Sequence, residues 1–287
     1  MPHQSLVEGG LKPLAFNSLK FHLDPLSHIA WAYMRASPRQ CFTPQLLREI
    51  AQAFVHVATL PPDIAEAEFL VLASDVPGIF NLGGDLALFK EKIEKQDREQ
   101  LQAYGQLCVE ALYLGHAHPG TPNLTSIALV QGDALGGGFE AALATNIIVA
   151  ERSARMGFPE ILFNLFPGMG ATTFLGRKIG FQKAEKMILG GKLYAAEELH
   201  EMGVVDILAE DGEGLTAVLE YIRRMRRSMN GTLAARAARD VAQPVSLNEL
   251  NRIVEIWVDA ALRITDKDLS MMARLVSRQN GKALRLA

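Results

Sequence analysis

Two glutamates, Glu140 and Glu160, frame a glycine-rich loop, and these residue types in this order can move protons beside a stabilised oxyanion. The loop sits in GDALGGG, where Gly136, Gly137 and Gly138 allow backbone to come close to a bound group. A helix starting immediately after it would offer free N–H groups and the positive end of its dipole to a negative oxygen. That makes half of an oxyanion hole. Glu140 falls in the first turn of that helix, and Glu160 ends a second turn segment, MGFPE. Gly136, Gly138 and Ala141 also satisfy the loose dinucleotide pattern G-x-G-x-x-A. A carboxylate at Glu140 would repel a pyrophosphate there, which argues against a nucleotide. The bland alternative is a glycine-rich turn carrying two solvated glutamates.

The elements around the loop are those of an α/β protein. The apolar run Ser126–Val130 reads as a strand leading into the turn, FEAALA as the helix, and NIIVA as the next strand. FLVLAS, residues 69–74, is a continuous apolar run, as expected of a strand buried on both faces. The loop after it carries Gly78, Gly83 and Gly84 and ends on Asp85. Alternating residues from Leu19 to Arg35, including His22, His28, Trp31 and Tyr33, suit paired strands, with the histidines as packed or surface groups. Thr43 caps a helix that opens on Pro44 and runs to Pro61 and Pro62. Leu86 to Leu114 is mostly helical, and its KEKIEKQDREQ stretch is a solvated face. Gly168 to Thr173 opens another helix, where Thr172 or Thr173 can serve the exposed amides. Gly190 and Gly191 break it, and Asp211 to Gly214 is a polar turn after which the chain is helix-forming. Ile253, Ile256, Trp257, Ala260 and Ala261 predict one apolar helix face there.

With 287 residues, 49% hydrophobic, and a net charge of −3, the chain can build one sizeable core plus an appendage, and its charge does not suggest nucleic acid. Cys41 and Cys108 match no disulfide framework, metal or redox spacing, so both are expected to be buried thiols of a cytoplasmic protein. His116-x-His118 has no Cys or carboxylate at ligand spacing, so no metal and no other cofactor is expected. No run reaches the roughly 18 apolar residues of a membrane span.

GDALGGGFEAALATNIIVA followed by FPEILFNLFPGMGATTFLGRKIG resembles the crotonase (enoyl-CoA hydratase/isomerase) superfamily. FNLGGDLALF is similar to that family's F-x-x-G-x-D segment, and AEKMILGGKLYAAEELHEMGVVDIL to its downstream block, so the likeness spans about Phe16 to Leu208. Residues 1–15, with Gly9, Gly10 and Pro13 and no periodicity, read as a flexible lead-in. The resemblance implies a spiral of ββα units over residues 16–211 and a helical region over 212–287 for active-site cover and trimer or dimer-of-trimers assembly. It also implies oxyanion donors at Gly84 and Gly137, with Glu160 removing an α-proton and Glu140 handling the oxygen at the β-carbon. Leu135, Gly136, Phe163, Met169 and Trp257 become candidates for the acyl pocket. Any thioester hydrolysis should use glutamate-activated water, because no G-x-S-x-G elbow exists.

Within the superfamily, the chain is most similar to diffusible signal factor synthases, through MRASPRQCFTPQLLREI, GFPEILFNLFPGMGA and WVDAALRI. That likeness implies dehydration of a 3-hydroxyacyl thioester on acyl carrier protein to a cis-2-enoyl chain, release of the free acid, and a regulatory sensor protein as partner. ASDVPGIFNLGGD lacks Lys and Arg and carries Asp75, a poor seat for the phosphates of CoA. Arg223, Arg224, Arg226, Arg227, Arg236 and Arg239 could instead dock an acidic carrier protein. The alternatives are a CoA-dependent enoyl hydratase or isomerase and a non-catalytic binding relative.

Overall fold

The computed structural model describes residues 16–35, 39–60 and 67–274. The expected lead-in and the helix stop at Pro61 and Pro62 lie outside them. The chain begins with β1 (Leu19–Asp24), β2 (Ile29–Met34) and α1 (Pro44–Thr59). It continues through β3 (Phe69–Ser74), β4 (Gly78–Asn81), α2 (Leu86–Glu94) and α3 (Arg98–Ala117), then β5 (Thr125–Val130), β6 (Gly132–Leu135) and α4 (Gly137–Leu143). β7 (Ile147–Glu151) and β8 (Arg155–Gly157) lead to a 3-10 turn (Glu160–Phe163), α5 (Ala171–Ile179) and α6 (Phe181–Gly190). β9 (Leu193–Ala195), α7 (Ala196–Glu201), β10 (Ile207–Ala209), α8 (Gly214–Arg226), α9 (Met229–Ala242) and α10 (Leu247–Ala261) follow. A last helical stretch starts at 266 and reaches the end of the described residues at 274.

Three times in succession the chain lays one strand in a six-stranded sheet and the next in a four-stranded sheet before turning into helix. The large sheet has the order β1-β2-β3-β5-β7-β10, and the small one β4-β6-β8-β9. Only the ends of the order depart from parallel pairing: β1 runs antiparallel to β2, and β9 to β8. This is the crotonase-type spiral of ββα units with helices at its C-terminal end.

The central strands β3 and β5 are largely apolar because both their faces are covered, whereas β1 at the edge of the sheet carries Lys20, His22 and Asp24. Along β5, Ala128 and Val130 join the main core with Leu70, Leu72 and Ile148, while Ile127 and Leu129 face a second cluster with Phe69, Val71 and Val149. Helix α8 closes that second cluster with Val218, Ile222 and Met225. The helix signals work as read at α1, where the Thr43 hydroxyl accepts from the Leu46 amide at 3.2 Å. The predicted helix over 86–114 is two helices, because Gln96 takes a positive φ of 53° and Asp97 caps the second. On its charged face, Lys90–Glu94 and Lys95–Glu91 ion pairs lie in solvent.

One helix starts differently from the expectation. No side chain caps α5 at its N-cap residue, and the Thr173 hydroxyl donates to Glu249 instead. The amides at that helix start go to a carboxylate from a different element, described below.

Candidate active site

Strand β6 ends at Leu135, and Gly136 turns the chain into α4 at φ +51°, a region that favours glycine. Its amide donates to the Gly157 carbonyl at 2.9 Å, tying the turn to β8. A Cβ on Gly136 would stand 2.2 Å from Glu160 Oε1, so the glycine is also the surface on which the second glutamate rests. Gly137 is the first residue of α4, a position whose N–H has no intrahelical acceptor. The Gly84 amide nitrogen lies 3.4 Å from where a Cβ on Gly137 would be. The two loops therefore bring two backbone amides side by side. With seven residues, α4 is short, so the donors matter here and a summed helix dipole little.

Glu140 is buried, 1% exposed, and its Oε1 accepts from the amides of Met169 and Ala171, both at 2.8 Å. These are the free amides at the start of α5. Burial pushes the Glu140 carboxyl up to about 7, and the amides of Ala171, Met169 and Gly170 hold it back from going higher. Glu160 opens the 3-10 turn, and its Oε2 is buried with no hydrogen-bond partner. Burial first, and the Glu140 charge second, push Glu160 up to about 8. Both carboxyls are raised, Glu140 with backbone amides in favour of its charge and Glu160 with a neighbouring carboxylate against it.

Both glutamates line a cavity of about 660 Å³ together with Gly84, Gly136, Gly137, Leu135, Phe163, Met169 and Trp257. All nine candidate site residues from the sequence meet there. The walls also include residues not expected at the site: Phe89, Tyr104, Cys108, Asp133, Leu165 and Val254. Asp133 was within reach of strand periodicity, since it stands two residues before Leu135 on the same face of β6. Tyr104 and Cys108, one turn apart on α3, have no sequence signal that separates them from ordinary core.

Cys41 and Cys108 are buried free thiols, and burial pushes Cys41 up to about 12. His118 Nε2 donates to the Gly115 carbonyl at 2.8 Å, and burial lowers its ring to about 4. Among the described residues, no group of three or more His, Cys, Asp and Glu is arranged to hold a metal ion. No helix among them is long and apolar enough to cross a membrane.

Two surface expectations need correction. The buried face of α10 consists of Leu250, Val254, Trp257, Val258 and Ala261, and Ile256 is 59% exposed, so the apolar stripe is rotated from the predicted one. The arginine group is neither all free nor near the cavity. Arg226 pairs with Glu68, Arg236 donates to Thr125 Oγ1 and the Tyr221 hydroxyl, and Arg239 pairs with Asp240. Arg223, Arg224 and Arg227 are exposed near the end of α8, which packs on the far face of the large sheet. The cavity walls Phe89, Tyr104, Cys108 and Trp257 belong to the opposite face. Arg226, moreover, sits at the entry to β3, whereas Gly84 follows the exit of β4. A carrier docked on those arginines would be on the wrong side of the sheet.

A family model for enoyl-CoA hydratase/isomerase matches residues 32–271. The chain belongs to this family. It is 32% identical over 205 residues to an enoyl-CoA hydratase of Mycobacterium tuberculosis, covering 71% of this chain and 72% of that one. Over 154 residues it is also 32% identical to fatty acid oxidation complex subunit alpha of Pseudomonas syringae, covering 54% of this chain but about a fifth (21%) of that longer protein. The crystal structure of enoyl-CoA hydratase from Bacillus halodurans superposes with a TM-score of 0.76 over 90% of this chain and all (100%) of that one, at 19% identity, a likeness of fold. The structure of Pseudomonas aeruginosa DspI matches with a TM-score of 0.66 and 26% identity, over 86% of this chain and 98% of that one.

Proposed function

We propose that this enoyl-CoA hydratase/isomerase family member adds water to, and removes it from, an acyl thioester at the β-carbon. The observation that carries this reading is the unequal ground of the two glutamates beside the paired amides. Glu140, served by the α5 amides, is the carboxylate of the pair, and Glu160, with no partner for Oε2, holds the proton. A carboxylate and a carboxylic acid are the two forms hydration requires.

The thioester oxygen sits against the Gly84 and Gly137 amides, which stabilise the negative charge that develops on it. Glu140 takes a proton from water as the oxygen bonds to the β-carbon, and Glu160 delivers its proton to the α-carbon. Dehydration runs back through the same states: the Glu160 carboxylate removes the α-proton and Glu140 protonates the departing hydroxyl. The apolar walls Leu135, Phe163, Met169 and Trp257 receive the acyl chain. Incubation with an enoyl-CoA in oxygen-18 water, followed by mass spectrometry, tests this. Label in a 3-hydroxyacyl product that exchanges reversibly supports it, and no incorporation at any chain length refutes it.

A second reading, synthesis of a diffusible cis-2-unsaturated fatty acid signal from a 3-hydroxyacyl carrier-protein thioester, draws on the loop before Gly84 and on one cavity wall. Residues 73–85 contain no Lys or Arg, and Asp133 lines the cavity, so neither adds positive charge for CoA phosphates. Free 2-enoic acid released faster from the carrier-protein ester than from the CoA ester would favour this reading. Assembly as a trimer or dimer of trimers, and restraint by a sensor protein, belong to the same proposal, and light scattering reads the first directly.

A further inference from the structure

Gly84 lies among three consecutive amides whose hydrogen bonding is uneven. The Gly83 amide donates to Asn81 Oδ1 at 2.8 Å, and the Asp85 amide donates to the Tyr104 hydroxyl at 3.1 Å. Between them, the Gly84 amide has no acceptor among the described residues. The peptide planes on both sides are therefore tied to side chains, and the middle N–H is left to face the cavity that Gly84 lines.

Tyr104 is the stronger of the two ties because its hydroxyl is a junction. It donates to the Phe42 carbonyl at 2.5 Å while accepting from Asp85. The Phe42 amide in turn donates to the Gly83 carbonyl at 2.7 Å, so both flanks of Gly84 are held to the segment before α1. The Asp85 side chain caps α2 through the Leu88 amide and pairs with Arg39 at 2.9 Å, which anchors the loop's other end. Tyr104 is 5% exposed, and its ring meets Phe89 edge-on, 5.1 Å between centroids, so the hydroxyl has little freedom to swing away. A buried Tyr placed only for packing would need one partner, and this one bonds both the loop, at Asp85, and the segment before α1, at Phe42.

We infer that Tyr104 is a positioning residue for the reaction: its hydroxyl, with Asn81 opposite, aims the Gly84 N–H at the thioester oxygen. The inference rests on the thioester reading above. A preorganised donor acts on charge that develops in the transition state, so loss of its aim lowers turnover more than substrate binding.

The test is Tyr104→Phe, which keeps the ring against Phe89 and removes the junction. We expect kcat for hydration to fall on the order of tenfold or more, less than the 10²–10³ typical of deleting a donor outright, with KM within about twofold. Alongside it, a saturated acyl thioester labelled with carbon-13 at the carbonyl, offered on CoA and on acyl carrier protein, reports the hydrogen bond itself by infrared difference spectroscopy. The wild-type complex should show the carbonyl stretch lowered from its solution value, and the variant should lose much of that shift. If the wild type shows the shift and Tyr104→Phe retains it with unchanged kcat, the positioning role is wrong and the oxyanion reading stands. If the wild-type complex shows no shift, or neither ester binds, the thioester reading fails first and the positioning role with it. Should Tyr104→Phe not fold, Asn81→Ala removes the opposite tie, and the same two readouts decide.

Discussion

The N-terminus of α5 and the 3-10 turn at Glu160 each hold one carboxylate, buried at Glu140 and half-buried at Glu160, and they treat it in opposite ways. Around Glu140, two backbone amides at 2.8 Å replace the water that burial removed. Around Glu160, Oε2 has no hydrogen-bond partner among the described residues, and its neighbour is another carboxylate. Burial raises both, and the difference in their surroundings comes from the backbone N–H groups that serve Glu140 and from the Glu140 charge that faces Glu160. A site that needs an acid and a base at neutral pH can obtain both from one residue type.

Removing either charge-carrying group should show the largest effect. Glu140→Gln and Glu160→Gln are each expected to lower kcat/KM by about 10²–10⁴, with the double variant little worse than the poorer single one, because the two act in one reaction. Additive losses would mean that they do not serve the same step. Unchanged activity in both would instead favour a non-catalytic binding role.

Gly136 supports the Glu160 side of the contrast. Gly136→Ala places a methyl 2.2 Å from Glu160 Oε1 on a backbone at φ +51°. We expect roughly 1–3 kcal/mol of destabilisation, read by urea unfolding, and loss of most activity, since the carboxylate must move. A variant that is stable and active would show Glu160 to be mobile and the contrast to be weaker.

The titration of the unliganded protein sharpens the comparison further. Both carboxyls have folded-state values, about 7 and about 8, above the 4.5 of an unperturbed glutamate. The folded protein therefore binds more protons than the unfolded chain in that interval, so the stability these groups contribute is complete below about pH 4.5 and is lost as pH rises through 7 to 8. Melting followed from pH 5 to 9 should show this fall in the wild type. In Glu160→Gln the fall should be smaller, leaving the variant at least about 3 °C above the wild type at pH 9. The smallest expected effect is in Glu140→Gln at pH 6, where a carboxamide oxygen can still accept from the Met169 and Ala171 amides and the melting temperature should stay within about 2 °C. A large drop would mean that charge, and not hydrogen bonding, holds the start of α5.

Much of the architecture could be read in the chain. Apolar runs such as FLVLAS marked strands of the large sheet, because burial on both faces leaves no polar positions along them. Thr43-Pro44 marked a helix start, and the three glycines before Glu140 marked a turn into a buried helix. The small sheet was not legible. Its strands GIFN, GDAL, RMG and LYA are three or four residues long; the first three fell in segments read as loop or turn and LYA carried no strand signal, since so short a stretch cannot display a period.

What the sequence by itself determined was the set of candidate site groups and the long elements that carry them: residue types and local periodicity are properties of neighbouring positions. The tertiary structure decided how differently the two glutamates are surrounded. The amides that serve Glu140 come from Met169 and Ala171, far along the chain, and no pattern around Glu140 announces them. The same holds for Tyr104, whose hydroxyl reaches Phe42 and Asp85 from another helix, and for the arginines, whose distance from the cavity depends on which face of the sheet α8 covers. Hydrogen bonds and sheet faces join segments that meet only after the chain has folded, so their consequences for charge exist only in three dimensions.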